Sequence, residues 1–262
     1  MKLRALAVLV LISVTSFAQQ AQPEQLYRRA LNALTGTGPS RNDLNAIDDM
    51  RRAAEAGYLP AQVTLGVMLD TGTATTANPS EALAWYKKAA DQGDSLAAWL
   101  AGREYLAGIG VSRDFKEAEK WLSKGVEAGD PFAAYLLATV KEDRDYPAAT
   151  PLYKSAAEQG LPQAQARYGQ ILHQGRGASR QPFDAYQWLL LAQRQGVTTV
   201  AEDLRSLEAE LGSTRVAEAK TRAIELESTV ARSVNAHGCT GWDGEFNQLP
   251  TPPPVELLKF CR

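Results

Sequence analysis

The chain has only two histidines and two cysteines in 262 residues. That leaves little for nucleophilic or metal-centred chemistry. Cys239, Cys261 and the nearby His237 fall one ligand short of the four that a structural zinc site takes. There is no Gly-x-Ser-x-Gly elbow, no Ser-x-x-Lys, no His-Glu-x-x-His, no P-loop and no dinucleotide glycine fingerprint. No catalytic residue, metal site or cofactor is therefore assigned. An excess of one charge sign is also missing, because 28 Lys and Arg stand against 30 Asp and Glu. Without a basic face there is no electrostatic footprint for nucleic acid. The mild acidity also argues against an anionic membrane surface as the main partner. After the first fourteen residues, no apolar run is long enough to cross a bilayer, so no transmembrane anchor is expected in the mature chain.

What the chain does have is a repeat. A small-residue step closed by glycine recurs at Gly57, Gly93, Gly129, Gly160 and Gly196, at intervals of 36, 36, 31 and 36 residues. A fixed period of this size is the signature of stacked helical units. Eight residues before the later glycines stand Trp85, Trp121, Leu152 and Trp188, followed by Tyr86, Leu122, Tyr153 and Leu189. Four residues after the first four glycines come Ala61, Ala97, Ala133 and Ala164, and nine after come Gly66, Gly102, Ala138 and Gly169. Bulky and tiny residues in fixed slots are what paired helices need to approach closely. The tryptophans therefore read as packing residues and not as a ligand cage. Between the two helices of a unit lie Gly108-Ile109-Gly110-Val111 and Gly175-Arg176-Gly177-Ala178, with Gly72 alone in the first such unit. Glycine there accepts positive φ and ends a helix.

The pattern resembles the Sel1-like repeat family, an α/α hairpin related to tetratricopeptide repeats. Tyr105, Gly108, Gly110, Val111, Asp114, Ala118, Trp121 and Gly129 stand in the family's slots, and the resemblance covers about residues 43–196. It implies an all-α superhelical solenoid with hairpins at 58–93, 94–129, 130–160 and 161–196. It also implies binding in place of bond chemistry. The family's roles include assembling envelope complexes, regulating signalling and neutralising toxins. The third hairpin departs from the pattern: Glu142-Asp143-Arg144-Asp145-Tyr146-Pro147 replaces the Gly-x-Gly turn. A shortened hairpin is expected there.

The flanks read as caps. Residues 19–57 carry two helical patterns around the loop 35–40, making a degenerate first unit. Residues 197–235 predict a helix capped by Thr198-Thr199, with Glu202 placed for a capping box, a break at Gly212-Ser213, and a second helix. At the other end, Met1-Lys2-Leu3-Arg4, the apolar stretch Ala5–Val14 and Thr-Ser16-Phe-Ala18 form the pattern of a signal peptide, 1–18. This predicts a periplasmic or secreted protein. In such a compartment Cys239 and Cys261 are most simply a disulfide closing the turn-rich tail 236–262. In the chain-entropy account that closure stabilises by about 3 kcal/mol.

The first helix of each hairpin is expected to line the concave side. Slots six, ten and thirteen after each glycine fall opposite the core stripe. They are Val63, Val67 and Asp70, then Trp99, Arg103 and Leu106, then Tyr135 and Thr139, then Ala166, Gln170 and His173. Tryptophan, tyrosine and arginine are common interface anchors. Trp99, Arg103 and Tyr135 are thus either the centre of a groove for a protein or peptide partner, or packing between neighbouring first helices. His173 reads as a solvated surface histidine. The expected function is a periplasmic or secreted interaction scaffold with a protein or peptide partner. Plentiful carboxylates keep one alternative open, an envelope enzyme or binder acting on peptidoglycan fragments, with association to the cell wall.

Overall fold

The computed structural model describes residues 22–34 and 43–237. The signal peptide, the loop at 35–40 and the Cys239–Cys261 pairing lie outside the described residues. The helices are α1 (22–34), α2 (Asp43–Glu55), α3 (Leu59–Thr71), α4 (Pro79–Asp91), α5 (Ser95–Ala107) and α6 (Phe115–Glu127). They continue as α7 (Pro131–Glu142), α8 (Tyr146–Glu158), α9 (Pro162–Gln174), α10 (Pro182–Arg194) and α11 (Ala201–His237). Successive helices pack as hairpins, and each hairpin packs on the next. The described residues contain no strand. The chain is an all-α solenoid.

The fixed slots hold the stack as their sizes require. A Cβ added to Gly66 would sit 2.5 Å from the Tyr86 ring, one at Gly102 would sit 2.5 Å from Leu122 Cγ, and one at Gly169 would sit 2.7 Å from Leu189 Cγ. The bulky residue of the second helix thus fills the space that the glycine of the first helix leaves. Trp85, Trp121 and Trp188 are buried, as a packing role demands. Trp85 Nε1 donates to Glu81 and Trp121 Nε1 donates to Glu117, each one turn earlier on its own helix.

Two devices start the first helices. Asp94 and Asp130 are N-caps, accepting at 2.7 Å from Ala97 N and Ala133 N. Where Tyr58 and Leu161 stand instead, a glutamine bridges the units. Gln62 Nε2 donates to the Ala54 carbonyl and accepts from Gln92, and Gln165 does the same with Ala157 and Gln195. Burial without these bonds would leave orphan groups at each junction.

The turns differ as the sequence foretold. Seven residues separate α3 from α4, α5 from α6 and α9 from α10, whereas only Asp143, Arg144 and Asp145 separate α7 from α8. Gly72, Gly108 and Gly175 end their helices in the left-handed conformation. Gly110 and Gly177 are left-handed too, but their counterpart two residues after Gly72 is Ala74, with φ 57°.

The C-terminal pair breaks at Gly212 (φ 73°, ψ 166°), and the chain folds back so that Lys220 Nζ lies 3.7 Å from Glu208. Its start differs from expectation. Thr198, Thr199 and Val200 form a 3-10 turn with no side-chain cap bond, so the threonines do not make the capping box. Val200, 0 % exposed, drives this by inserting into the core.

Candidate functional site

The first helices meet along one face, and the groove residues read from the sequence divide there by burial. Val63, Val67, Trp99 and Ala166 are buried, so they are not open to a partner. The slot count treated the side opposite the hairpin as solvent. In a solenoid, however, each first helix is also flanked by its two neighbours. Trp99 shows the consequence: its ring packs 5.5 Å from Phe132 on the next first helix, and the Arg103 guanidinium lies 5.5 Å from the ring centre. It is a packing residue.

The half-buried remainder is tied across neighbouring units. Arg103 of α5 donates to Asp70 of α3 at 2.8 Å and also pairs with Glu104 beside it. Burial pushes the Glu104 carboxyl up, and the Arg103 guanidinium opposes that. Glu104 Oε2, Tyr86 OH and Trp99 Nε1 have no hydrogen-bond partner among the described residues.

Two units on, a longer network runs. The Tyr153 hydroxyl donates to Glu142 at 2.7 Å, with Thr139 Oγ1 3.2 Å away on its other side. Burial raises the Tyr153 hydroxyl to about 12, which keeps it a donor at neutral pH. Tyr146 donates to the same carboxylate at 2.5 Å, and Arg167 of α9 ion-pairs with it. Arg167 also donates to Gln170 at 3.2 Å, Gln170 donates to Asp203 of α11 at 3.0 Å, and His173 Nδ1 lies 3.2 Å from the other Asp203 oxygen. His173 is therefore half-buried and partnered, not solvated, because α11 packs over the end of α9. The network joins α7, α8, α9 and α11 in one chain of bonds.

Glu142 and Arg167 were missed in the sequence. Glu142 occupies slot thirteen of its unit, the slot of Asp70 and His173, and carrying the count through the short hairpin reaches it. Arg167 sits in slot seven, where other units have Thr64, Leu100 and Leu136, and no periodicity marks it.

Tyr135 lies edge-on to Tyr153 at 5.7 Å and stays half-buried, while Thr139 is exposed and Leu106 half-buried. The open strip is thus Arg103, Leu106, Tyr135, Thr139, Arg167 and Gln170. Its charges are held by neighbours, so the strip is rigid and nearly neutral. Among the described residues no cluster of His, Cys, Asp and Glu could hold a metal ion, and no helix is long and apolar enough to cross a membrane.

A stack of glycine-fitted helical hairpins, with side chains of the first helices tied between units, defines a helical repeat protein. The chain belongs to the Sel1 repeat family, with five repeats at residues 26–58, 59–94, 95–130, 131–161 and 162–197. The first of these takes in α1 and α2, so membership reaches further toward the N-terminus than the sequence resemblance did. Among solved structures, the chain is similar to a Sel1 repeat protein from Oxalobacter formigenes. That match has 26% identity and a TM-score of 0.62, covering 78% of this chain and 87% of that one. It shares its fold with c5321, a protective antigen of uropathogenic Escherichia coli displaying an SLR fold. There the identity is 24% and the TM-score 0.69, over 95% of this chain and 55% of that one. No curated protein sequence matches it. Sel1 repeats commonly serve as protein-interaction scaffolds.

Proposed function

We propose that the chain is an exported, periplasmic scaffold that works by binding a segment of a partner protein across its first-helix face, without bond chemistry. The observation that carries this is the pinned strip from Arg103 through Tyr135 to Gln170. Two arginines held by ion pairs and a tyrosine held by ring contact with Tyr153 lose little entropy when a partner covers them. Repeat stacks present such extended surfaces because each unit adds one more row of side chains. Assembly of envelope complexes, regulation of a signalling protein and toxin neutralisation are all uses of one such surface. Export is supported by the basic, apolar and small-residue order of residues 1–18. Localisation after cleavage near Ala18 and closure of the tail by Cys239 and Cys261 belong to the same reading.

A photo-crosslinking amino acid at Tyr135, compared with one at Lys154 on the opposite helix layer, tests the face in intact cells. A discrete crosslinked partner from position 135 alone is expected. Identical products from both positions would sink the assignment. Cell fractionation, with N-terminal sequencing of the product, tests export: a cytoplasmic, uncleaved chain would overturn it.

A further inference from the structure

In the regular units, each hairpin turn docks on the preceding unit. A Cβ on Gly110 would lie 2.5 Å from the backbone of Pro79 and Ser80 at the start of α4, and one on Gly177 would lie 2.9 Å from the Tyr146 carbonyl at the start of α8. At the start of α10, Arg215 covers the Phe183 ring at 5.3 Å. The start of α6 lacks this cover, because the turn that should reach it is the three-residue Asp143–Asp145. Phe115, the first residue of α6, is left 51 % exposed. Beside it opens a depression of about 810 Å³, lined by Leu106, Phe115, Val140 and the charged Arg113, Asp114, Lys116, Asp143 and Arg144 among others.

The charges are uneven in their engagement. Asp114 is already committed, accepting from Lys116 N and Glu117 N as the N-cap of α6. Arg113, Lys116 and Arg144 are exposed, and none forms an ion pair among the described residues. Elsewhere in the stack Arg29, Arg51, Lys124, Lys141, Arg180 and Arg194 each hold a carboxylate. A chain with more acid than base thus concentrates three unengaged cations around one uncovered aromatic ring, against two carboxylates, Asp143 and the helix-capping Asp114.

We propose that this notch is a docking site for a short acidic segment of a partner protein, which takes the place of the missing turn and lays an apolar side chain on Phe115. Carboxylates of the segment would pair with Arg113, Lys116 and Arg144. The notch lies at the turn edge of the stack, apart from the pinned strip except for Leu106 and Thr139, and it stands independently of the reading of that strip.

Selection of displayed random heptapeptides on the full chain tests this, with Arg113→Glu/Arg144→Glu as the counter-selected variant. The expected winners carry two or more acidic residues beside an apolar one. Fluorescein-labelled winners, followed by anisotropy at 50 mM and 200 mM salt, should bind the full chain more weakly at the higher salt. They should lose at least tenfold in affinity with either Phe115→Ser or the charge-reversed variant. They should bind Gln170→Ala unchanged, which separates the notch from the first-helix face. Winners without an acidic consensus, or binding indifferent to both variants, would overturn the proposal. So would a dimer of the full chain that the charge-reversed variant dissolves, since the occupant would then be a second copy.

Discussion

Gly102 and Leu122 are fitted to each other. A methyl on the glycine would lie 2.5 Å from Leu122 Cγ and 2.6 Å from its Cδ2, closer than carbon atoms approach. The pair fixes the distance between α5 and α6, and Gly66 with Tyr86 and Gly169 with Leu189 repeat it along the stack.

Gly102→Ala is therefore expected to destabilise, although alanine is the better helix former. Overpacking costs about 1–3 kcal/mol and the propensity gain returns at most about 1 kcal/mol. Chemical denaturation should show a net loss of about 1–2 kcal/mol. Combining it with Leu122→Ala should cost less than the two single losses added, because each substitution relieves the other. Strict additivity would refute the fit.

Ala74→Gly should act in the opposite direction. Ala74 stands at φ 57°, where the later units have Gly110 and Gly177. An L-residue there carries about 1–2 kcal/mol of steric cost, of which unfolded-chain entropy offsets part. A rise in Tm of about 1–3 °C is expected. A fall would mean that the alanine methyl packs more usefully than its backbone strains.

Glu142→Gln should loosen two units together. The carboxylate accepts from Tyr146 and Tyr153 and pairs with Arg167, with only 12% of its side chain exposed. Losing one partner of a part-buried pair costs about 2 kcal/mol or more. Hydrogen exchange should quicken in α7 and α9 and leave α3 and α4 unaffected. Glu142→Gln combined with Arg167→Met should recover part of the loss, since no unpaired cation then remains.

Asp130 gives the stack a pH dependence. Burial pushes its carboxyl up to about 7, against the lowering effect of its bond from Ala133 N, with Asp94 adding to the rise. A folded-state value above the unfolded one means the folded chain binds the proton more tightly. The associated stability is complete below the ordinary carboxylate range and is lost as pH rises through about 7. Relative to Asp130→Asn, the wild-type chain should gain roughly 1 kcal/mol for each unit of acidification between about 7 and about 4. Parallel Tm curves for the two proteins across that window would show that the carboxyl stays ionised.

The period, the glycine slots and the shortened third hairpin were all legible in the sequence. Each follows from local geometry: a helix turn every 3.6 residues, a left-handed glycine at a helix end, and a small residue opposite a large one. These constraints act within one hairpin, so one hairpin's residues reveal them. What the first-helix face presents depends on neighbouring units, and only the tertiary structure decided it. Trp99 looked like an anchor until Phe132 was found against it. Glu142 and Arg167 look unremarkable until α7 and α9 bring them together. The notch at Phe115 exists because the turn that would cover it belongs to the next unit and is four residues too short to arrive. Contacts between units are long-range, and a sequence read at one period at a time carries no record of which side chain stands across the gap.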